Sequence, residues 1–153
     1  MPGTHDGTIQ KCRIIYGKTI EMVEFLPYEY KTLSKLKVVN ADDILYSYKY
    51  EDRSMLIRLF ESKGGCDDIL IIKNNLVTDS YYANVVLYDG YDWVTPSNPL
   101  LKGTQRAHLL EKGVIKEKKI TLESLKACKK IRFINAMVSF NDAGDIDINN
   151  LIF

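Results

Sequence analysis

ILIIKNNLVTDSYYANVVLYDGYDWVTPSNPLLKGTQR, residues 69–106, is the stretch on which the fold turns. Short β-branched and aromatic runs are broken at Asn74-Asn75 and Asp89-Gly90, dipeptides suited to tight hairpin turns. The run then meets a glycine, Gly103, at the head of a helical pattern, KGTQRAHLLEKG, that Gly113 ends. Upstream, an aromatic run, ILYSYKY, predicts a strand that ends near Lys49, just before a second helical pattern, EDRSMLIRLFE. The stretch and its flank thus combine a lysine at a strand-to-helix junction, an acid (Asp79) on a strand, and a helix start suited to an anion.

Working outward, KCRIIYG and TIEMVEFLPY predict two strands about a turn at Gly17-Lys18, with Pro27 closing the second. LSKLKVVN predicts a third strand and ILYSYKY a fourth. Met55, Leu56, Leu59 and Phe60 fall at helical spacing, with Asp52 to cap the start and Gly64-Gly65 to stop the helix. Downstream of Gly113 the pattern gives a strand in VIKEKKI and a short helix in TLESLKACK capped by Thr121. A strand through IRFINAMVSF and a last one in DIDINNLIF follow. Strands joined mostly by hairpins, with three short helices among them, predict an α+β fold. Residues 1–10 read as a loose lead-in. No internal repeat or low-complexity run interrupts the pattern.

A chain of 153 residues is long enough for one domain with a real core. Its 21 basic and 20 acidic side chains nearly cancel, which removes the electrostatic case for nucleic acid or an anionic membrane as partner. No apolar run is long enough to span a bilayer, and the N-terminus lacks the pattern of an export signal. Three widely spaced cysteines (Cys12, Cys66, Cys128) fit reduced thiols in the cytoplasm. Two histidines and no CxxC give metal chemistry little to use.

Four places carry possible chemistry. Lys49 is either a solvated lysine or one that Tyr46, Tyr48 and Tyr50 wall off from water, which would favour the neutral amine that Schiff-base chemistry requires. Asp79 either caps a hairpin turn or pairs with a cationic ring nitrogen, with Asn84 as its local support. Gly103, Thr104 and Gln105, ahead of Arg106, either simply open a helix or present backbone N–H groups to a phosphate. Asn135-Ala136-Met137, inside an apolar strand, either packs or opens the strand end towards that phosphate.

In this order and spacing the four pieces resemble the fold-type IV pyridoxal phosphate enzymes, the class IV aminotransferase family. The resemblance covers residues 36–153. In that family a lysine ahead of an Asn-Arg pair, here Lys49 before Asp52-Arg53, links covalently to the cofactor. The acid of a V-T-E-x-x-x-x-N motif, here Asp79 with Asn84, engages the pyridine nitrogen. A G-I-x-R helix start, here Gly103-Thr104-Gln105-Arg106, binds the phosphate, and a later strand, here with Asn135 and Ala136, completes its cradle. The Asn-Ala-Met version is most similar to the aminodeoxychorismate lyase branch.

The resemblance implies a D-amino-acid-aminotransferase-like fold, with residues 1–48 a remnant of the N-terminal domain and 49–153 the cofactor-binding domain. It also implies pyridoxal 5'-phosphate as cofactor, a small amino substrate and a homodimer. The implied reaction releases pyruvate from aminodeoxychorismate to leave 4-aminobenzoate. A branched-chain or D-amino-acid aminotransferase and a non-catalytic short homologue are the alternatives. The chain departs from the pattern in three ways: no N-terminal helix brings a phosphate-clamping arginine, Asp79 stands for glutamate, and Thr104 stands for isoleucine. It therefore reads as a member missing its first strands and helix, and exposed apolar surface is expected on CRIIYG and IEMVEF.

Overall fold

A computed structural model describes residues 9–153, so the lead-in, residues 1–10, lies outside the described residues except for its last two. The chain divides into two compact units, residues 1–31 and 32–153. Residues 32–48, read above with an N-terminal remnant, group with the second unit.

The described part of the first unit is a hairpin of β1 (Gln10–Tyr16) and β2 (Ile20–Pro27). Its antiparallel register sets Cys12 opposite Phe25, Arg13 opposite Glu24 and Ile14 opposite Val23, with a bulge at Ile15/Tyr16. Opposed residues share a face and successive ones alternate. One face therefore carries Cys12, Ile14, Val23 and Phe25, and the other carries Arg13 ion-paired to Glu24 at 3.1 Å. The apolar face is open: Ile14 is 48% exposed and Phe25 64%.

In the second unit β3 (Leu36–Asn40), α1 (Ser54–Glu61), β4 (Asp68–Lys73) and β5 (Leu76–Ser80) come first. Next are β6 (Asn84–Tyr88), β7 (Trp93–Pro96), α2 (Thr104–Glu111) and β8 (Lys116–Lys118). The chain ends with α3 (Leu122–Ala127), β9 (Lys130–Ile134), β10 (Ile146–Asp147) and β11 (Leu151–Ile152). The nine strands form one mixed sheet in the order β10-β9-β6-β5-β4-β3-β11, with β7 on β6 and β8 on β7.

β4 lies mid-sheet and is buried on both faces, which is why DILIIK reads as an almost unbroken apolar run. Ile69 and Ile71 pack with Leu56 of α1 on one side. Leu70 and Ile72 join Val85, Leu87 and Leu125 on the other. The turn into β5 holds Asn74 and Asn75 at φ +50° and +60°, the left-handed pair a two-residue hairpin loop demands. α3 starts as expected, with Thr121 Oγ1 accepting from Ser124 N at 3.1 Å. Among the described residues no helix is long and apolar enough to cross a membrane.

Five expectations need correction. ILYSYKY forms no strand: only Ile44 is buried, and the three tyrosines stack edge-on against one another at 5.9 and 6.0 Å. Self-association of the rings replaces the neighbouring strand that an alternating run would need. The strand through IRFINAMVSF stops at Ile134, because the Asn135 side chain accepts from Met137 N and Val138 N and folds the backbone into a turn. The final strand is split by a 3-10 turn over Ile148–Asn150. Met55, expected inside α1's apolar stripe, faces solvent. Pairing between β3 and β4 is parallel, as it is between β11 and β3 and between β7 and β8, so the sheet is less hairpin-built than the turn signals suggest.

Candidate active site

β5 and β6 meet at the pair Asp79 and Asn84, which stand opposite each other across the strands. A tight connection holds them there: Ser80 N donates to Ala83 O, and Ser80 Oγ accepts from Ala83 N. Opposed strand residues project to the same side, so the carboxylate and the amide meet. Asn84 Nδ2 donates to Asp79 Oδ1 and to Leu101 O, both at 2.7 Å. The other carboxylate oxygen accepts from Leu100 N at 2.5 Å and Leu101 N at 3.0 Å. Asn84 Oδ1 accepts from Gly103 N at 3.2 Å. Two side chains thereby fix the segment that leads into α2.

Asp79 is only 4% exposed. Burial pushes its carboxyl up to about 6, against the opposing pull of hydrogen bonds from Asn84, Leu101 and Leu100 and of the Arg106 charge. Its Oδ1 has a single hydrogen-bond donor, Asn84, which leaves that oxygen with acceptor capacity to spare.

Gly103 has an ordinary extended backbone, φ −70° and ψ 151°. Its glycine is explained by close approach: a Cβ there would overlap the Asn84 amide oxygen. The expected approach of its N–H to an anion is thus taken by Asn84. The next three N–H groups, of Thr104, Gln105 and Arg106, precede the first helical bond, which runs from Ala107 N to Gly103 O, so they have no carbonyl within the helix. The Arg106 side chain, 3% exposed, turns away to Pro96 O and Glu117 Oε1, and pins α2 to the strands beneath.

Asn135 and Ala136 follow directly on Ile134, which pairs with Asn84 across β6 and β9. Leu109 of α2 packs with Ile134 and Val138. The turn and the helix therefore share one region of the sheet, with Asn84 between them. Lys49 takes no part in the hydrogen bonds that join this group. It is exposed, as are Tyr48 and Tyr50, so the tyrosines do not close water off from it. It lines neither of two surface clefts of about 310 and 260 Å³ that flank residues 44–46.

Two features escaped the sequence reading. The backbone amides of Leu100 and Leu101, as partners of Asp79, leave no side-chain signature. The other is the partner of Arg53, a residue read above only as part of the lysine motif, which joins the lysine segment to Tyr81, two residues past Asp79. Its Nη2 donates to Tyr81 O at 2.6 Å, its guanidinium lies 4.6 Å from the centre of the Tyr81 ring, and Tyr81 stacks on Phe60 at 4.4 Å. Its place four residues after Lys49 was the available clue.

The donor set suits a pyridoxal phosphate at two of its ends. A buried carboxylate with a spare acceptor site fits a ring nitrogen, and N–H groups ahead of the helical ladder fit a phosphate.

Comparison with known proteins gives the same direction. A family model described as amino-transferase class IV matches residues 9–141. A Haemophilus influenzae protein of unassigned function is 40% identical over 137 residues, covering 90% of this chain and 73% of that one. The crystal structure of a candidate 4-amino-4-deoxychorismate lyase from Haemophilus somnus is 39% identical, with a TM-score of 0.84 over 90% of this chain and 71% of that chain. The pyridoxal phosphate-bound form of a hypothetical Mycobacterium tuberculosis aminotransferase shares the fold, at 16% identity and a TM-score of 0.67 over 81% of this chain and 52% of its own.

Proposed function

The chain belongs to the class IV aminotransferase family, and on that basis we propose that it is a pyridoxal 5'-phosphate enzyme of the aminodeoxychorismate lyase kind. The observation that carries the reading is the Asp79–Asn84–Gly103 network, which ties a buried carboxylate to the start of a helix. The candidate lyase, at 39% identity, supports the branch.

When bound, pyridoxal phosphate supplies an electron-withdrawing ring that stabilises negative charge at the carbon beside the substrate amine. The chain's own residues have separable tasks. Asp79, through its spare Oδ1 position, would keep a proton on the ring nitrogen, because a carboxylate there favours the cationic ring. The N–H groups of Thr104 and Gln105 would hold the phosphate, with the turn at Asn135 and Ala136 completing its cradle. With the group bound, Lys49 would provide the amine that holds it and would move a proton at the substrate carbon. That carbon chemistry leads to pyruvate loss in a lyase and to amino transfer in an aminotransferase, which is the second reading.

The test is direct. The full chain with pyridoxal phosphate should show the visible absorbance of the linked cofactor. Borohydride reduction followed by peptide mass spectrometry should then place the adduct on Lys49. An adduct mainly on another lysine overturns the lysine assignment, and no adduct at all leaves a non-catalytic homologue.

A further inference from the structure

We propose that Asn84 is the positioning residue of the phosphate site: its side chain touches no cofactor and instead sets how far the start of α2 stands from Asp79. This rests on the functional reading above. Both hydrogens of its amide are committed within the protein, and its oxygen is held by the Gly103 amide. Nδ2 donates to Asp79 Oδ1 and Leu101 O, and Oδ1 accepts from Gly103 N. Asn84 is buried, and Asp79 holds the same segment through Leu100 N and Leu101 N. Four hydrogen bonds from two opposed strand residues thus fix residues 100, 101 and 103 just ahead of the free N–H groups of Thr104 and Gln105.

The fit is close enough to exclude a side chain at position 103, where a Cβ would overlap the Asn84 oxygen. An amide is the side chain that suits this place. It must donate to a carboxylate and a carbonyl while accepting from an N–H, and neither a carboxylate nor an apolar group of that size does both.

Two readouts separate positioning from contact with ligand. The first is the preference of the full chain for pyridoxal 5'-phosphate over pyridoxal, which isolates the phosphate end from the ring end. The second is hydrogen exchange of the Gly103 amide without ligand. Asn84→Ala should lower the preference by roughly tenfold, the scale of one hydrogen bond to a charged group, and should speed Gly103 exchange. Asn84→Asp, which serves if the alanine variant does not fold, keeps the Gly103 acceptor but sets two carboxylates together. It should also lose the preference, because a carboxylate cannot donate to Leu101 O or to Asp79.

An unchanged preference with unchanged Gly103 exchange in Asn84→Ala overturns the proposal. So does a lowered preference with unchanged Gly103 exchange in Asn84→Ala, since Asn84 would then be touching the ligand itself. A wild-type chain that binds neither compound removes the functional reading and the phosphate role together, whereas slow Gly103 exchange in that chain would leave the hydrogen-bond network standing.

Discussion

Asp79 shows how one side chain links stability to chemistry. Burial raises its carboxyl from the ordinary 3.8 to about 6. A raised value in the folded state means that the protonated form fits better. The stabilising contribution is therefore fully present below about pH 4 and lost as pH rises through about 6. A displacement of that size corresponds to about 3 kcal/mol. Melting temperatures compared across pH should show it: Asp79→Asn, which cannot ionise, gains on the wild type between pH 4 and 7. A constant difference across that range would show that the carboxyl is not buried as described. Gly103 supplies a second prediction at this scale. Gly103→Ala should cost about 1–3 kcal/mol through crowding, and distinctly less in an Asn84→Ala background, where the oxygen it meets is gone. Equal cost in both backgrounds, measured by denaturant unfolding, would separate the two residues. Asp79 and Asn84 were legible in the sequence as residue types at a spacing. Their partners on the backbone of Leu100 and Leu101 were not, because any residue supplies an N–H.

Among the elements, those with local causes were the ones the sequence disclosed. The β4–β5 turn needs two left-handed residues and has two asparagines. α3 needs a cap and has Thr121. The aromatic run at residues 44–50 misled, because alternation records which residues are apolar and not whether a strand lies beside them. Tyrosine tolerates partial exposure, and Tyr48 is 71% exposed. The parallel pairing of β3 with β4 was equally hidden, since it joins strands across the whole of α1. With no strand to hold it, the lysine segment depends on Arg53. Arg53→Met should remove the bond to Tyr81 O and the guanidinium–ring contact, at a cost of about 1–3 kcal/mol. Borohydride labelling of Lys49 should fall with it. Labelling that persists at the wild-type level would mean that Lys49 finds its place without this tether.

At the scale of the molecule, the hairpin of the first unit leaves a question of partners. Two strands alone are marginal in water, and this pair exposes Ile14, Val23 and Phe25 on a face with no charge among its paired positions. A second copy of the chain is the proposed cover, and light scattering at low micromolar concentration should report a dimer or larger. Ile14→Lys with Phe25→Lys should shift it to monomer; a wild-type monomer would remove the dimer proposal. The fold class was legible because patterning and turns act locally, whereas an interface has no mark in the sequence beyond apolar residues along a strand. The site as a whole is tested most directly by a crystal structure of the full chain soaked with pyridoxal 5'-phosphate. The predicted result is a phosphate at the Thr104 and Gln105 N–H groups facing Asn135 and Ala136, a ring nitrogen on Asp79 and continuous density to Lys49. A phosphate bound away from the start of α2, or a ring with no contact to Asp79, would contradict it.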